Sequence, residues 1–317
     1  MASPPTMLCA TRFVAAAVLL SAAASAQGGA WAPAQCAGPL AVFANGTSQT
    51  WQVVTSAGAR GVAANGASLS IAHDQRAYIV RECAAGDAFS AAMYAGAWSL
   101  VGSVLNFTVD LSTSGCGCNA AFYLVKMPAT DASGNPTSGE GDGYCDANDV
   151  GHEWCPEMDV LEANTAALAV TPHRCDPPVD GHYSSCDKGG CSVNPHKTAP
   201  TDFGFGAGFT IDSSRPFSVT TAFPADPATG TLVGITTTIA QGATASFTLT
   251  HTDASCGSGY LEAMSGPLQA GMVPAISVWG DAGSTMSWLD VPPCDVATSC
   301  ADATAGAVFS AFSISKL

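Results

Sequence analysis

Basic residues are scarce. Lys and Arg total 10 in 317 positions against 25 Asp and Glu, for a formal net charge of −15. A surface of that sign repels phosphate backbones and anionic lipid heads, which argues against nucleic acid and membrane partners. Charged residues of either sign make up only 11%. Gly, Ser, Thr and Ala take their place, and an uncharged polymer is compatible with such a surface. Helical periodicity is nearly absent after the first 26 residues, and no later apolar run is long enough for a membrane helix. There is no internal repeat, no Ser/Thr/Pro-rich linker and no appended small module, so 27–317 reads as a single domain acting as a monomer. The CxxC spacing of zinc ribbons is missing too. Cys116-x-Cys118 and Cys186-x4-Cys191 do not fit it, and neither metal nor cofactor is expected.

What is present begins with a leader. Arg12 precedes an apolar run from Phe13 to Leu20, and Ala24-Ser25-Ala26 closes it in a small-x-small pattern. This predicts a signal peptide over 1–26, a mature chain from Gln27 and a secreted, extracellular location. Of the 13 cysteines, Cys9 leaves with the leader. The even remainder suits disulfides in an oxidising compartment, with the pairing left open. Asn45-Gly46-Thr47 and Asn106-Phe107-Thr108 are glycosylation sequons, the second inside an expected strand.

Short alternating runs separated by Gly, Pro, Asn and Asp fill the chain. Strands are expected at 67–73, 105–111, 120–127, 217–223, 232–239, 245–251, 272–279, 285–291 and 308–314. Leu105, Phe107, Val109 and Leu111 form the cleanest period-2 face. So many strands without a break imply an all-β sandwich of two antiparallel sheets, one concave face left open as a cleft for a long ligand.

One stretch stands out: Glu157-Met158-Asp159-Val160-Leu161-Glu162-Ala163-Asn164. Alternation makes it a strand, with Glu157 and Asp159 on one face. Glu162 is five positions from Glu157, which would send it to the opposite face. A β-bulge near Val160–Leu161 would return it. Two glutamates on one face with an aspartate between them suit a retaining glycosidase, whose carboxyls sit about 5–5.5 Å apart. The plainer reading of acids alternating along a strand is a solvated face.

The flanks carry a resemblance. Cys155-Pro156-Glu157 through Asn164, followed by Thr171-Pro172-His173-Arg174-Cys175, resembles the active-site segment of glycoside hydrolase family 7. So do Gly143-Tyr144-Cys145-Asp146, Asn119-Ala120-Ala121-Phe122-Tyr123 and Cys186-Asp187-Lys188-Gly189-Gly190-Cys191. Met272 to Asp281 and Met286-Ser287-Trp288-Leu289-Asp290 resemble the family's tryptophan-bearing strand and loop. These blocks keep family order from about residue 66 to the C-terminus. The resemblance implies a concanavalin A-like β-jelly-roll sandwich and retaining hydrolysis of β-1,4-glucan. It implies Glu157 as nucleophile, Glu162 as general acid and later base, and Asp159 tuning Glu157. It implies Asn119, Tyr123, Asp146, Asn148 and His173 around the sugar, with Trp279 and Trp288 stacking on glucose rings. Plainer roles stand beside these: core tyrosine for Tyr123, turn residue for Asp146, structural histidine for His173, core tryptophans for Trp279 and Trp288.

Departures from the family pattern are Leu161 in place of an aromatic, Gly280 in place of an aspartate, Asn148 in place of a glutamine, and His196-Lys197 in place of Tyr-Arg. Asp146 and Cys155 lie only nine positions apart, where the family's cellobiohydrolases carry long insertions. That implies an open groove and endo-type cutting. Two alternatives remain at this point: a family 16-like β-1,3 or mixed-linkage glucanase, and a glycan-binding or wall protein that lost turnover.

Overall fold

The computed structural model describes residues 29–280, 286–300 and 304–317. The expected leader, Asp281 and Thr285 lie outside the described residues. Sixteen strands are present among them. The first half of the chain gives β1 (Ala34–Ala44), β2 (Thr47–Ser56), β3 (Val62–Ala64), β4 (Ser68–Ala72), β5 (Gln75–Val80), β6 (Ser103–Asp110), β7 (Asn119–Val125), β8 (Glu157–Ala163) and β9 (Leu168–His173). The second half gives β10 (Phe203–Gly204), β11 (Ile211–Asp212), β12 (Phe217–Phe223), β13 (Ile235–Gln241), β14 (Ala245–His251), β15 (Val273–Trp279) and β16 (Gly306–Lys316).

Hydrogen bonding joins fourteen of these in one sheet, ordered β14-β13-β12-β6-β16-β1-β2-β5-β15-β7-β8-β9, with β3 and β4 attached at β16. Two sheets were expected from sequence; the hydrogen-bonded path runs unbroken from β14 to β9 through β16, β1 and β2. The β1–β16 pair is parallel, where only antiparallel pairs were expected. The sheet curls until its edges approach, and the His251 ring of β14 meets the Val170 carbonyl of β9 at 3.1 Å.

The main core fills the inside of the curl. Phe107 of β6 packs on Phe122 of β7 at 4.7 Å between ring centres, and both meet Phe309 and Phe312 of β16. β6 and β12 show the expected alternation, one face buried and one partly exposed. Every residue of β7 and β9 is buried, because these strands are covered on both sides. On the side away from the main core a second cluster forms around Tyr78, Phe89, Tyr94, Tyr123 and Tyr144. Asp159 of β8 pairs with Tyr123 on that side.

Helix is sparse, though less so than expected. α1 (Asp253–Cys256) is one turn, and α2 (Tyr260–Ala270) was not anticipated from sequence. α2 buries Tyr260, Leu261, Met264 and Leu268, a helical stripe whose signal is interrupted by Gly266 and Pro267. The strand expected over 285–291 is instead α3 (Ser287–Asp290). Met286 and Leu289 are three apart, both are buried and both pack on Ala169 of β9, which a helical turn satisfies and a strand does not. All twelve cysteines of the described residues are paired: 36–83, 116–294, 118–300, 145–155, 175–186 and 191–256.

Candidate active site

The acidic stretch is β8, and its bulge is present. Along β7 the register runs from Tyr123 opposite Asp159 to Phe122 opposite Leu161, so Val160 has no partner. On β9, Asp159 faces Thr171 and Glu162 faces Ala169. Val160 and Leu161 both enter the main core, fully buried. One residue more on β8 than on its neighbours returns Glu162 to the face of Glu157 and Asp159. Leu161, a departure from the family pattern, thus lies in the core and not on the functional face.

Each carboxylate has a fixed partner. Glu157, 6% exposed, accepts a hydrogen bond from the Ala147 backbone N–H at 3.0 Å. Asp159, 4% exposed, lies 3.0 Å from His173 Nε2. Glu162 accepts from Asn119 Nδ2 at 2.8 Å. His173 donates its Nδ1 proton to the Asp187 carbonyl at 2.7 Å, which turns Nε2 toward Asp159. Gly190 presses against this ring. It has φ of +59°, and a Cβ there would come within 2.7 Å of His173 Nδ1.

Crowding raises the proton affinity of all three acids. Burial pushes Glu157 well above the usual range; the neighbouring Asp159 and Asp146 charges add to this, while His173 opposes it. Asp159 is raised by burial, then by Glu162 and Asp146. Glu162 is raised by burial, with the Asn119 hydrogen bond and His173 pulling the other way. A hydrogen bond from Glu157 pulls Asp159 the other way. Close carboxyls of this kind share protons and titrate as a set. Glu157 accepts the Ala147 backbone N–H and Glu162 accepts the Asn119 amide. Ligand atoms of Glu157, Asp159 and His173 lie within 4.8 Å of one another. That spacing could accept a cation, but Asp159 and His173 are already bonded to each other.

The other expected residues fall as follows. Asn119 begins β7 beside Glu162, fully buried. The Tyr123 ring packs in the second cluster, and its hydroxyl lies 3.3 Å from that of Tyr144. Asp146 Oδ1 accepts from the Asn148 and Val150 backbones at 2.9 and 3.0 Å, a turn contact, while its charge acts on Glu157 and Asp159. Asn148 is exposed and reaches this site through its backbone. Trp279 is the register partner of Asn119, so it shares the face of Glu162. Trp279 and Trp288 are 39% and 42% exposed, which excludes the core role for both. Gly280 is required where it stands, since a Cβ there would lie 2.3 Å from the Gly117 carbonyl. A cavity lined by Lys126, Thr130, Glu153, Trp154, His182 and Tyr183 lies to one side and includes none of the three carboxylates.

Sequence reasoning missed Arg76 and its surroundings. Arg76 lies on β5, its guanidinium 3.6 Å from the centre of the Tyr144 ring, and its Nε donates to Tyr78 Oη at 2.9 Å. It pairs with Glu140 and, at 3.5 Å, with buried Asp142, which also accepts from Tyr78 at 2.6 Å. The available signal was period 2: Arg76, Tyr78 and Val80 alternate with apolar Ala77 and Ile79.

The profile of glycosyl hydrolase family 7 matches residues 74–152 and 148–247, more than half of the chain. The chain belongs to this family. Endoglucanase EG-1 of Trichoderma longibrachiatum is 34% identical over 216 residues, covering 60% of this chain and 45% of that protein. Endo-beta-1,4-glucanase celB of Emericella nidulans is 34% identical over 250 residues, covering 61% and 58%. The chain thus spans about half the length of the curated family 7 relatives it matches. A solved endoglucanase I complexed with cellobiose shares the fold, with TM-score 0.70 at 20% identity over 92% of this chain and 98% of that one. A family 7 cellobiohydrolase from Daphnia pulex gives TM-score 0.66 at 17% identity over 91% and 98%.

Proposed function

We propose that this protein is a secreted, retaining β-1,4-glucanase. It would carry a leader over 1–26 and one catalytic domain over 27–317, and act as a monomer on cellulose-like glucan. The observation that carries this reading is the bulge in β8, which sets Glu157, Asp159 and Glu162 on one face beside Asn119 and His173. Glu157 attacks the anomeric carbon while Glu162 protonates the departing glycosidic oxygen. Glu162 then removes a proton from the water that releases the sugar from Glu157. Asp159 hydrogen-bonds Glu157 and tunes it, and is itself held by His173. Asn119 aligns Glu162, and Tyr123 and Asp146 take sugar hydroxyls beside the nucleophile. No cofactor is needed for these steps. The exposed indoles of Trp279 and Trp288 suit the axial C–H face of a pyranose. The short span from Asp146 to Cys155 and the position of the carboxylates outside the lateral cavity support an open groove on a jelly-roll sandwich, and hence endo-type cutting.

Release of reducing ends from soluble cellulose, laminarin and mixed-linkage glucan tests the reading. Cleavage of the cellulose by wild type and none by Glu157→Gln is expected. Preference for laminarin would favour the family 16-like specificity, and binding by both forms with cutting by neither would leave a glycan-binding protein.

A further inference from the structure

The helical turn α3 presents Trp288 to solvent, and it is fastened from beneath by the catalytic strand itself. Asp290, 2% exposed, accepts from Asn164 Nδ2 at 2.7 Å and from the Gly117 backbone at 2.8 Å, both at Oδ2. Asn164 is fully buried and lies two residues beyond Glu162. Its second amide proton goes to the Cys118 carbonyl at 3.0 Å, and its Oδ1 accepts from Ala166 and Ala167 at 2.8 and 3.1 Å. Its bonding is complete, so it cannot rotate without breaking several contacts. The Leu289 carbonyl accepts from Asn194 Nδ2 at 2.7 Å. Met286 and Leu289 pack on Ala169, which is the register partner of Glu162 on β9. The 116–294 disulfide closes the same unit.

We infer that Asn164 and Asp290 are positioning residues that set the Trp288 platform at a fixed place relative to the proton donor Glu162. The inference rests on the hydrolase reading above. β8 runs from Glu157, which attacks the sugar, through Glu162, which protonates the departing oxygen, and Asn164 follows its last residue, Ala163. A platform anchored beyond Glu162 therefore serves the leaving-group sugar. Holding that ring still keeps the glycosidic oxygen within reach of the Glu162 proton, and a 1 Å misplacement of reacting groups can lower rate about 100-fold. Asp290 and Asn164 touch neither substrate nor the reacting atoms.

The test compares two substrates. Cellohexaose places sugar on the leaving-group side. An aryl β-cellobioside with a nitrophenolate leaving group places none there and needs no protonation. Asp290→Asn keeps the size of the side chain and sets its amide against that of Asn164. It is expected to lower kcat/KM on cellohexaose by about 10- to 100-fold, and to leave the aryl cellobioside within about twofold. Trp288→Ala should show the same split, and adding Asp290→Asn to it should give little further loss. The exchanged pair, Asn164→Asp with Asp290→Asn, restores a donor facing an acceptor and should recover part of the cellohexaose rate. If Asp290→Asn does not fold, Asp290→Glu carries the same comparison, since its extra methylene displaces the turn and keeps the charge. Equal losses on both substrates, full additivity with Trp288→Ala, or no loss on cellohexaose would each overturn the inference. A wild-type protein inert on both substrates would instead overturn the hydrolase reading beneath it.

Discussion

Replacing His173 with asparagine perturbs all three acids through one side chain. The imidazole bridges the Asp187 carbonyl at 2.7 Å and Asp159 at 3.0 Å, and its charge holds the proton affinities of Glu157 and Glu162 down. Asparagine can still offer one N–H toward Asp159, but it carries no charge. Ligand atoms of Glu157, Asp159 and His173 lie within 4.8 Å of one another, all three residues buried. A hydrogen bond to a charged group contributes about 1.5–3 kcal/mol. Part of this is lost with the charge, and at about 1.4 kcal/mol per tenfold even half of it changes the proton equilibria of the facing acids by roughly 3- to 10-fold. The sign follows from the two roles. In the proposed mechanism Glu157 is ionised to attack, so its ionisation forms the acid limb of the kcat/KM profile; Glu162 is protonated, so it forms the basic limb. Removing an influence that lowers both moves both limbs toward higher pH. The assay is kcat/KM on cellohexaose across pH 3–9 for wild type and His173→Asn. An unmoved profile, or one displaced to acid, would refute the reasoning.

Three further outcomes are expected. Folding raises the proton affinity of Glu157, so its contribution to stability is present at low pH and is lost as pH rises through the folded value. Glu157→Gln should therefore melt above wild type at pH 8 and close to it at pH 3; at roughly 2–4 °C per kcal/mol, calorimetry resolves the difference. Arg76→Lys removes the flat stack on Tyr144 and the fork toward Tyr78, and should destabilise by about 1–2 kcal/mol in urea titration; an unchanged midpoint would show that Arg76 does not brace this cluster. Trp279→Ala should raise KM for cellohexaose about tenfold with little change in Tm, since its ring is 39% exposed; a large loss of Tm with KM unchanged would make it a packing residue.

Period-2 patterning located β6, β12 and β14 closely, because each has one buried face and one open face. It also required the bulge in β8, since an odd spacing between two acids can share a face in no simpler way. It passed over β1, β2 and β9. β9 is buried on both sides and shows no alternation, and the parallel pairing of β1 with β16 depends on contacts over 250 residues apart that local pattern does not encode. α2 was hidden by Gly266 and Pro267, and α3 by a tryptophan that read as part of a strand. At the site, chemistry-bearing residues clustered in one segment were legible. Arg76 was not, because only the sheet order β5-β15-β7-β8 brings it to the same face. The Asn164–Asp290 contact joins positions 126 residues apart, and no local spacing announces it.

The double displacement needs the two glutamates of β8 to flank the scissile bond, Glu157 attacking the anomeric carbon opposite the oxygen that Glu162 protonates. Proton NMR of the first product released from cellohexaose, recorded before mutarotation, tests it most directly. The account predicts that the β-anomer appears first and then decays to the equilibrium mixture. Initial release of the α-anomer would contradict the double displacement and the nucleophile role of Glu157.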